Sequence, residues 1–502
     1  MSAPSLCSPR TPSVSAPLFA ALTALLTACV LPSLSFGAAA APAPRPNIVL
    51  VLADDLGYGD LSCYGQKKLA TPHLDRLAAE GMRFTRHYAG STVCAPSRTV
   101  LLTGLHLGHA PLRTNWDQPM PDAVPTLART LQAAGYTTAA FGKWGVGDVI
   151  PEDDPNRKGF DEFYGYVDMY HAHNLFPPFL VHNGRREPLA NDLIPGSDAA
   201  PFAGRGNGLA QNPKDYAPAL IIDAALRFID AQAKKPFFLY VPLNTPHANN
   251  EGGKGTFKRG MEVPDFGPFA DRDWPAEEKG FARMIRDLDR DVGRIVAKLR
   301  ERGLAENTLV LFTSDNGPHQ EGGHLVDFFA SSGELRGRKR DLYEGGIRVP
   351  FIAWWPGRIA AGTTSPHLSG FQDYLPTFSE LAGAKAPAGD GLSLVPTLLG
   401  RPAEQRRHEV LYWEFYEGGG KQAVVTDRWK AVRLNWNASP DAPLELYDLS
   451  VDLSEKNNVA AAHPDIVQTM LAHLTTAHRP HTGVTRMPTS FMGPGQKQKQ
   501  KR

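Results

Sequence analysis

Residues 47–53 read Asn-Ile-Val-Leu-Val-Leu-Ala, an unbroken apolar run that ends directly in Asp54 and Asp55. A strand with one wet face alternates polar and apolar residues; this one does not, so both of its faces must be covered. Such strands belong to the middle of a parallel sheet with helices on either side. A second run of the same kind, residues 308–313, ends in Ser314, Asp315, Asn316 and Gly317. The C-termini of parallel strands share one edge of the sheet, and that edge is where such folds bind ligands. The two acidic ends are therefore expected to meet, although the chain keeps them far apart. Each taken alone also fits a turn or a helix cap.

The rest of the chain keeps this rhythm. Helical patterns over 72–80 and 124–134 close on Gly81 and Gly135, a short strand reads over 137–141, and the order helix, strand, helix recurs over 217–233, 237–242 and 278–302. Alternation of this kind predicts an α/β fold with a mainly parallel central sheet flanked by helices. The Gly-, Pro- and aromatic-rich stretches 146–213 and 249–275 read as long loops that wall a substrate pocket. From Glu409 the texture changes to short alternating segments at 423–426, 429–434 and 444–449, then a helix over 465–478. That pattern predicts a small antiparallel sheet with a closing helix. The expected division is a catalytic domain over 47–405, an antiparallel-sheet subdomain over 406–480 and a polar, disordered tail over 481–502.

A formal net charge of +1 over 502 residues provides no global field for nucleic acid or an anionic membrane. The apolar run 19–30 follows a polar start carrying Arg10 and precedes small residues at 37–41, the pattern of a secretory signal peptide over 1–40 with a linker over 41–46. Inside it, Leu26-Thr27-Ala28-Cys29 is similar to a bacterial lipoprotein processing box, a route that would leave Cys29 lipidated. By either route the mature protein is expected outside the cytoplasm, periplasmic or secreted, or held at a membrane by the lipid. Cys7 and Cys29 belong to the leader, which leaves Cys63 and Cys94. A disulfide between these two and chemistry at Cys94 exclude each other.

Cys94 opens the stretch Cys-Ala-Pro-Ser-Arg-Thr-Val-Leu-Leu-Thr-Gly, residues 94–104. Pro96 suits a first helical turn and Gly104 a helix end. That sets Cys94 at a helix N-terminus, where the N–H groups and the dipole favour an anion or a deprotonated nucleophile. Arg98, four residues on, brings a fixed cation to the same face. A cysteine beside Val and Leu equally fits a small buried hydrophobe. Three further residues carry the same double reading. Lys143, in Gly142-Lys143-Trp144 after a predicted strand, is either a solvated loop lysine or a buried one. His247, in Asn244-Thr-Pro-His after the strand over 237–242, either caps a turn or points at the ligand edge. Lys339 belongs to a basic run over 335–346 that also reads as a surface loop. Asp54, Asp55, Asp315 and Asn316 offer oxygen only, the donor set of Ca²⁺ or Mg²⁺ rather than zinc.

The string from Cys94 resembles the signature of the type I sulfatases of the alkaline phosphatase superfamily, Cys-x-Pro-Ser-Arg followed by Leu-x-Thr-Gly, and the likeness runs from about Pro46 to Val459. The resemblance implies an alkaline-phosphatase-like sandwich with a small C-terminal subdomain. It also implies that a formylglycine-generating enzyme oxidises Cys94 to formylglycine. Asp54, Asp55, Asp315 and Asn316 would then bind calcium, with magnesium the lesser alternative, together with residue 94, and Arg98, Lys143, His247 and Lys339 would surround the sulfate. In that scheme one hydroxyl of the hydrated aldehyde attacks sulfur and His247, with Lys339, protonates the departing alcohol. The second hydroxyl releases sulfate as the aldehyde re-forms. The runs 314–323, 339–350 and 245–251 are similar to bacterial sulfatases of sulfated sugars, implying a galactose or N-acetylgalactosamine sulfate, or an aryl sulfate, as substrate. His171, His173 and His319 lie in pocket-like stretches and are expected to contact the sugar. Gly145 departs from the pattern, because many arylsulfatases continue Gly-Lys-Trp with a histidine that holds the nucleophilic hydroxyl.

Two rivals stand beside this reading. A phosphodiester or phosphonate monoester hydrolase of the same superfamily can share the formylglycine, whereas its phosphate monoesterases carry Ser or Thr with two zincs and His ligands. A non-catalytic binder of sulfated glycans would keep Cys94 as a thiol.

Overall fold

The computed structural model describes residues 45–481 except 118, 149, 199–202, 233–234, 253–258 and 440. The leader over 1–40, Cys29, all but the last two residues of the linker, and the tail beyond residue 481 lie outside the described residues. Ten strands form the principal sheet: β1 Asn47–Ala53, β2 Met82–Phe84, β3 Thr137–Gly147, β4 Glu162–Asp168, β5 Phe179–His182, β6 Arg185–Pro188, β7 Phe237–Pro242, β8 Thr308–Ser314, β9 Phe351–Trp354 and β10 Thr363–Ser365. Their spatial order is β10-β2-β9-β8-β1-β7-β3-β4-β5-β6. The five central strands, β8, β1, β7, β3 and β4, run parallel to one another. The expected α/β architecture is therefore present.

β1 shows why the sheet is parallel and covered. All seven of its residues are buried. Ile48, Leu50 and Leu52 enter one core layer, and Val49, Val51 and Ala53 enter the other. Each large side chain so buried stabilises the fold by about 1.5–3 kcal/mol, which no one-sided strand achieves along its whole length. Five helices flank the sheet: α1 Pro72–Ala79, α2 Cys94–Thr103, α3 Leu127–Ala133, α4 Ala217–Ala231 and α5 Ala276–Glu301. In α5, Phe281, Ile285, Leu288, Val292, Ile295 and Leu299 recur at helical spacing and pack with α4 into the layer that holds Val49 and Val51. On the opposite layer, α2 is buried along its entire length. Gly104 ends it with φ of 68°, and its N–H bonds to the Val100 carbonyl.

Two parts of the sheet differ from the expectation. β3 continues to Gly147, so Lys143 sits within the strand rather than after it. The stretch 146–213, expected as loop, contributes β4, β5 and β6. Its glycines and aromatics are strand residues under a close-approach constraint: a Cβ on Gly165 would stand 2.0 Å from the Gly142 carbonyl oxygen, and one on Gly142 2.0 Å from that of Pro242. The β5–β6 turn is Asn183-Gly184, both with positive φ, a dipeptide made for two-residue hairpins.

The C-terminal sheet has four antiparallel strands, Leu411–Phe415, Lys421–Val425, Trp429–Leu434 and Leu444–Asp448. The first of these was not separable in the sequence. One face carries Trp413, Val425 and Val432 into the core layer of α2, and the other packs Tyr412, Val424 and Leu446 on Met470 and Leu474 of the helix Pro464–Ala477. Cys63 and Cys94 are both free thiols, so the disulfide alternative is not formed.

Replacing Gly142 by Ala is expected to lower stability by about 2–4 kcal/mol, because the new atom combines overpacking with an unfavourable φ. Gly383 also has positive φ, but its Cβ would meet nothing within 4 Å, and Gly383→Ala is expected to cost only about 1–2 kcal/mol. Parallel unfolding measurements check this; equal losses would mean the contact between β3 and β7 is looser than described.

Candidate active site

The five parallel strands deliver the predicted residues to one edge. Ala53 of β1 pairs with Ser314 of β8, so Asp54 and Asp55 emerge beside Asp315 and Asn316. His247 follows β7 after four residues of loop backbone that begin at Leu243, whose N–H bonds the Leu52 carbonyl. Lys143 lies in β3 beyond Ala140, the last residue paired with β7, and the register with β4 shifts just past it. Asp55 holds φ of 67° and donates its N–H to Asp315 Oδ1 at 3.1 Å. Left-handed backbone at a branched polar residue is uncommon and gathers at functional sites.

Helix α2 brings the remaining groups. Cys94 is its first residue, and the N–H of Ala95 is capped by Asn115 Oδ1 at 3.0 Å. Ser97 Oγ bonds to the Asp315 carbonyl and accepts the Gly90 N–H at 3.1 Å, which ties the helix to the end of β8. Arg98 reaches Asp315 Oδ2 with two nitrogens, at 3.0 and 2.9 Å, and the Lys143 carbonyl with a third.

The ion pairs then close into a box. Lys143 Nζ is 2.7 Å from Asp54 Oδ2, and Lys339 Nζ is 2.8 Å from Asp55 Oδ2. Cys94 Sγ lies 3.4 Å from Asp54 Oδ1. Asp54, Asp55 and Asp315 are fully buried, as are Arg98 and Lys143, while Lys339 is nearly so. Three carboxylates thus face three cations out of water, an arrangement that is tolerable only because the charges balance and are hydrogen-bonded.

The donor set fits a metal ion. One ligand atom from each of Asp54, Asp55, Cys94 and His247 lies within 4.8 Å of the others. Asn316 donates its Nδ2 to Asp55 Oδ1 at 2.7 Å, but its buried Oδ1 has no hydrogen-bond partner. An orphaned buried carbonyl beside three carboxylates fits an oxygen-coordinated hard cation. The single nitrogen of the group, His247 Nε2, is 3.0 Å from Lys339 Nζ.

Electrostatics follow from this packing. Burial raises Asp54, but Lys143, His247 and Arg98 more than offset it and hold the carboxyl well below its usual range. Asp55 is likewise lowered against burial by Lys339 and His247. Asp315 goes the other way, pushed up to about 7 by burial and by Asp54. Burial and Lys339 push His247 down to about 3. Its Nδ1 lies 2.6 Å from the Ala248 carbonyl, which only accepts, so Nδ1 carries the proton and Nε2 accepts from Lys339. Burial and Asp54 push the Cys94 thiol far up, so an unmodified cysteine here stays protonated.

The three histidines expected to contact a sugar take different places. His173 stacks on His247 with ring centres 4.9 Å apart, and its Nδ1 is 3.5 Å from Glu251 Oε2. His319 is fully buried behind His247, with Nε2 on the Pro246 carbonyl and Nδ1 accepting the Glu321 N–H, so it braces the site from inside. His171 is directed away, its Nε2 3.0 Å from the Phe179 carbonyl and its ring against Tyr166 and Phe179. Glu321, not foreseen, accepts from Lys339 at 3.1 Å and pairs with Arg340. Nothing in its local sequence marks it, because its role comes from the fold. Gly145 has φ of 74°, and a Cβ there would lie 3.3 Å from Arg98 Cδ and 3.5 Å from Lys143 Cε. A cavity of about 220 Å³ opens at this bare backbone, and Ala95 and Asn115 also line it.

Comparison with known proteins agrees with this geometry. Residues 46–384 match the Sulfatase family, and residues 337–479 match the family of the N-sulphoglucosamine sulphohydrolase C-terminal region. Arylsulfatase A of Homo sapiens is 36% identical over 480 residues, covering 87% of this chain and 88% of its own. The N-acetylgalactosamine-6-sulfatase of Canis lupus familiaris is 34% identical over 448 residues, covering 84% of this chain and 77% of its own. The solved structure of Ps i-CgsB in complex with k-i-k-neocarrahexaose superposes with a TM-score of 0.72 at 26% identity, covering 89% of this chain and 96% of that one. The strand-end acids, the buried box at Cys94 and these likenesses lead to one conclusion: the chain belongs to the sulfatase family of sulfuric ester hydrolases.

Proposed function

We propose that this sulfatase is exported and removes the sulfate monoester of a sulfated sugar, a galactose or N-acetylgalactosamine sulfate, with Cys94 matured to formylglycine. The observation that carries the reading is the neutral box of three buried carboxylates and three cations around the first residue of α2. The substrate class is supported by the relatives, one named for N-acetylgalactosamine 6-sulfate and one solved with a carrageenan-type oligosaccharide. Export is supported by the apolar run over 19–30, and the catalytic and C-terminal regions divide near residue 405 in this reading.

In the proposed mechanism the Cys94 sulfur stands where the modified residue would present an oxygen. Asp54, Asp55, Asp315 and Asn316 would hold calcium in preference to magnesium, and that ion would supply Lewis-acid polarisation of the sulfate oxygens. Arg98, Lys143 and Lys339 balance the carboxylates and leave positive donors facing an incoming anion. The S–O bond to the sugar breaks, and the sugar oxygen must gain a proton. Because His247 Nε2 is unprotonated and 3.0 Å from Lys339 Nζ, Lys339 is the proton source and His247 relays or positions that proton. Glu321 holds Lys339 in place through its bond to Nζ. With Gly145 unable to contact a hydroxyl, Asn115 at the α2 N-terminus is the nearest polar side chain capping the segment that carries residue 94.

Three outcomes are expected. The tryptic peptide carrying residue 94, from protein made in its own host, has a mass about 18 Da below the thiol form, and the protein releases sulfate from sulfated galactosides; an unmodified thiol together with no release from 4-nitrophenyl sulfate overturns the reading. Chelator dialysis lowers sulfate release at least about tenfold and destabilises the fold, and calcium at 100 times its Kd restores about 2.7 kcal/mol of stability; recovery with zinc but not calcium or magnesium would contradict the oxygen-donor assignment. Arg98→Ala leaves Asp315 and Asp54 buried without their guanidinium and is expected to cost about 3–5 kcal/mol, read by denaturant unfolding; a loss under about 1 kcal/mol would mean the pair is solvated.

A further inference from the structure

The cavity that opens at Gly145 lies beside the site: Tyr170 of its lining has its ring centre 5.7 Å from that of His173, which in turn stacks on His247 at 4.9 Å, and Ala95 of its lining follows Cys94. Its volume of about 220 Å³ suits one sugar ring and no more. One wall is aromatic. Trp116 and Tyr170 stand with ring centres 5.7 Å apart and an interplanar angle of 38°, both half-buried. Aromatic faces of this kind take the C–H face of a pyranose, which is apolar while the ring's rim carries hydroxyls.

The other wall is acidic. Asp148 and Asp168 both pair with Arg205, and Asp117, whose carboxylate accepts the Arg113 and Thr114 N–H groups, also lines the cavity. Asp168 also accepts the N–H groups of Tyr170, at 2.6 Å, and His171, at 2.9 Å, so one carboxylate sets both the aromatic wall and the guanidinium. Burial, opposed by Arg205, pushes Asp168 up to about 6. Three carboxylates against one guanidinium leave the lining of the described residues net negative, in contrast to the charge-balanced box next door. Carboxylates accept hydroxyl protons and Arg205 donates, which matches a polyol; a second sulfate or a uronate carboxylate would meet like charge in a partly desolvated space.

We propose that this cavity receives the sugar that bears the scissile sulfate and selects an uncharged pyranose ring, excluding rings that carry a carboxylate or a second sulfate. This rests on the sulfatase reading but concerns a separate property, the charge tolerance of the leaving-group subsite. Gly145 lines this cavity with bare backbone, and a Cβ there would lie 3.3 Å from Arg98 Cδ and 3.5 Å from Lys143 Cε, so a larger side chain would press on two buried cations.

The test measures binding rather than turnover. The full chain, loaded with calcium and with inorganic sulfate present to occupy the anion site, is titrated by saturation-transfer NMR with methyl β-galactopyranoside and methyl β-glucopyranoside and with their uronate counterparts. At least one neutral glycoside is expected to bind about tenfold more tightly than its uronate at pH 7, a gap of about 1.4 kcal/mol. Asp148→Asn is expected to narrow the gap to about threefold or less, and Trp116→Phe, a milder change than removal of the ring, to weaken the neutral glycoside while the uronate stays weak. Uronates that bind as well as the neutral rings, or neutral rings that show no saturable binding, overturn the proposal. Sulfate release from 4-nitrophenyl sulfate is followed in parallel. Its presence with failed ring selection refutes the subsite alone, and its loss with intact ring selection refutes the sulfatase reading alone.

Discussion

Six ionisable side chains without solvent form the feature on which the rest of this molecule depends. A lone buried charge is prohibitively costly, and even a buried pair roughly breaks even. Here Asp54, Asp55 and Asp315 meet Arg98, Lys143 and Lys339, and Glu321 with Arg340 extends the set outward from Lys339, so no member of the six is dispensable. The six come from five elements: two strand ends, of which that of β1 supplies both Asp54 and Asp55, a third strand's interior, a helix and a loop. The charge balance therefore exists only in the folded chain, and it couples the sheet, α2 and the 335–346 loop into one cooperative unit. The parallel sheet makes this assembly feasible, because it alone brings five chain segments to a common edge with their backbone bonds already satisfied.

Much of this was legible in the residues. The runs at 47–53 and 308–313 declared strands covered on both faces, and their terminal acids declared the edge. β7, α4 and α5 lie within a few residues of the expected spans. Pro96 and Gly104 framed a helix that begins at Cys94 as expected. What escaped notice has a physical cause in each case. β4 looked like loop because Gly165 interrupts its aromatics, yet that glycine is there to let β3 pass closely. The hairpin of β5 and β6 did carry its signal, Asn183-Gly184, which was outweighed by the composition around it. The left-handed backbone of Asp55 carries no local mark, since its partners Asp315 and Lys339 are hundreds of residues away, and Glu321 gains its part from Lys339 and Arg340, which only the fold turns toward it.

The histidines show how far position can be separated from part played. His171 and His173 lie two residues apart on one turn, yet the first turns its ring to the Phe179 carbonyl and the second stacks on His247. A sequence shows that imidazoles are available and leaves their direction to the backbone. The same holds for Lys143, which is a sheet residue pointing into the box rather than a lysine on a loop. Gly145 is the converse. Its lack of a side chain is plain in the sequence, but only the fold shows that this bare backbone lines a cavity.

The complete burial of α2 also sets an order of events in the life of the chain. Cys94 is 1% exposed and is enclosed by the box on one side and by the core on the other. A maturation enzyme that must wrap its own catalytic residues around that thiol has no access once the sheet has closed. Under the proposed maturation, oxidation of Cys94 would have to come first, on an extended or partly folded chain, and folding would then seal the result. Molecules that folded ahead of it would be trapped with a protonated thiol, so the active fraction of a preparation would record a race during synthesis rather than an equilibrium afterwards.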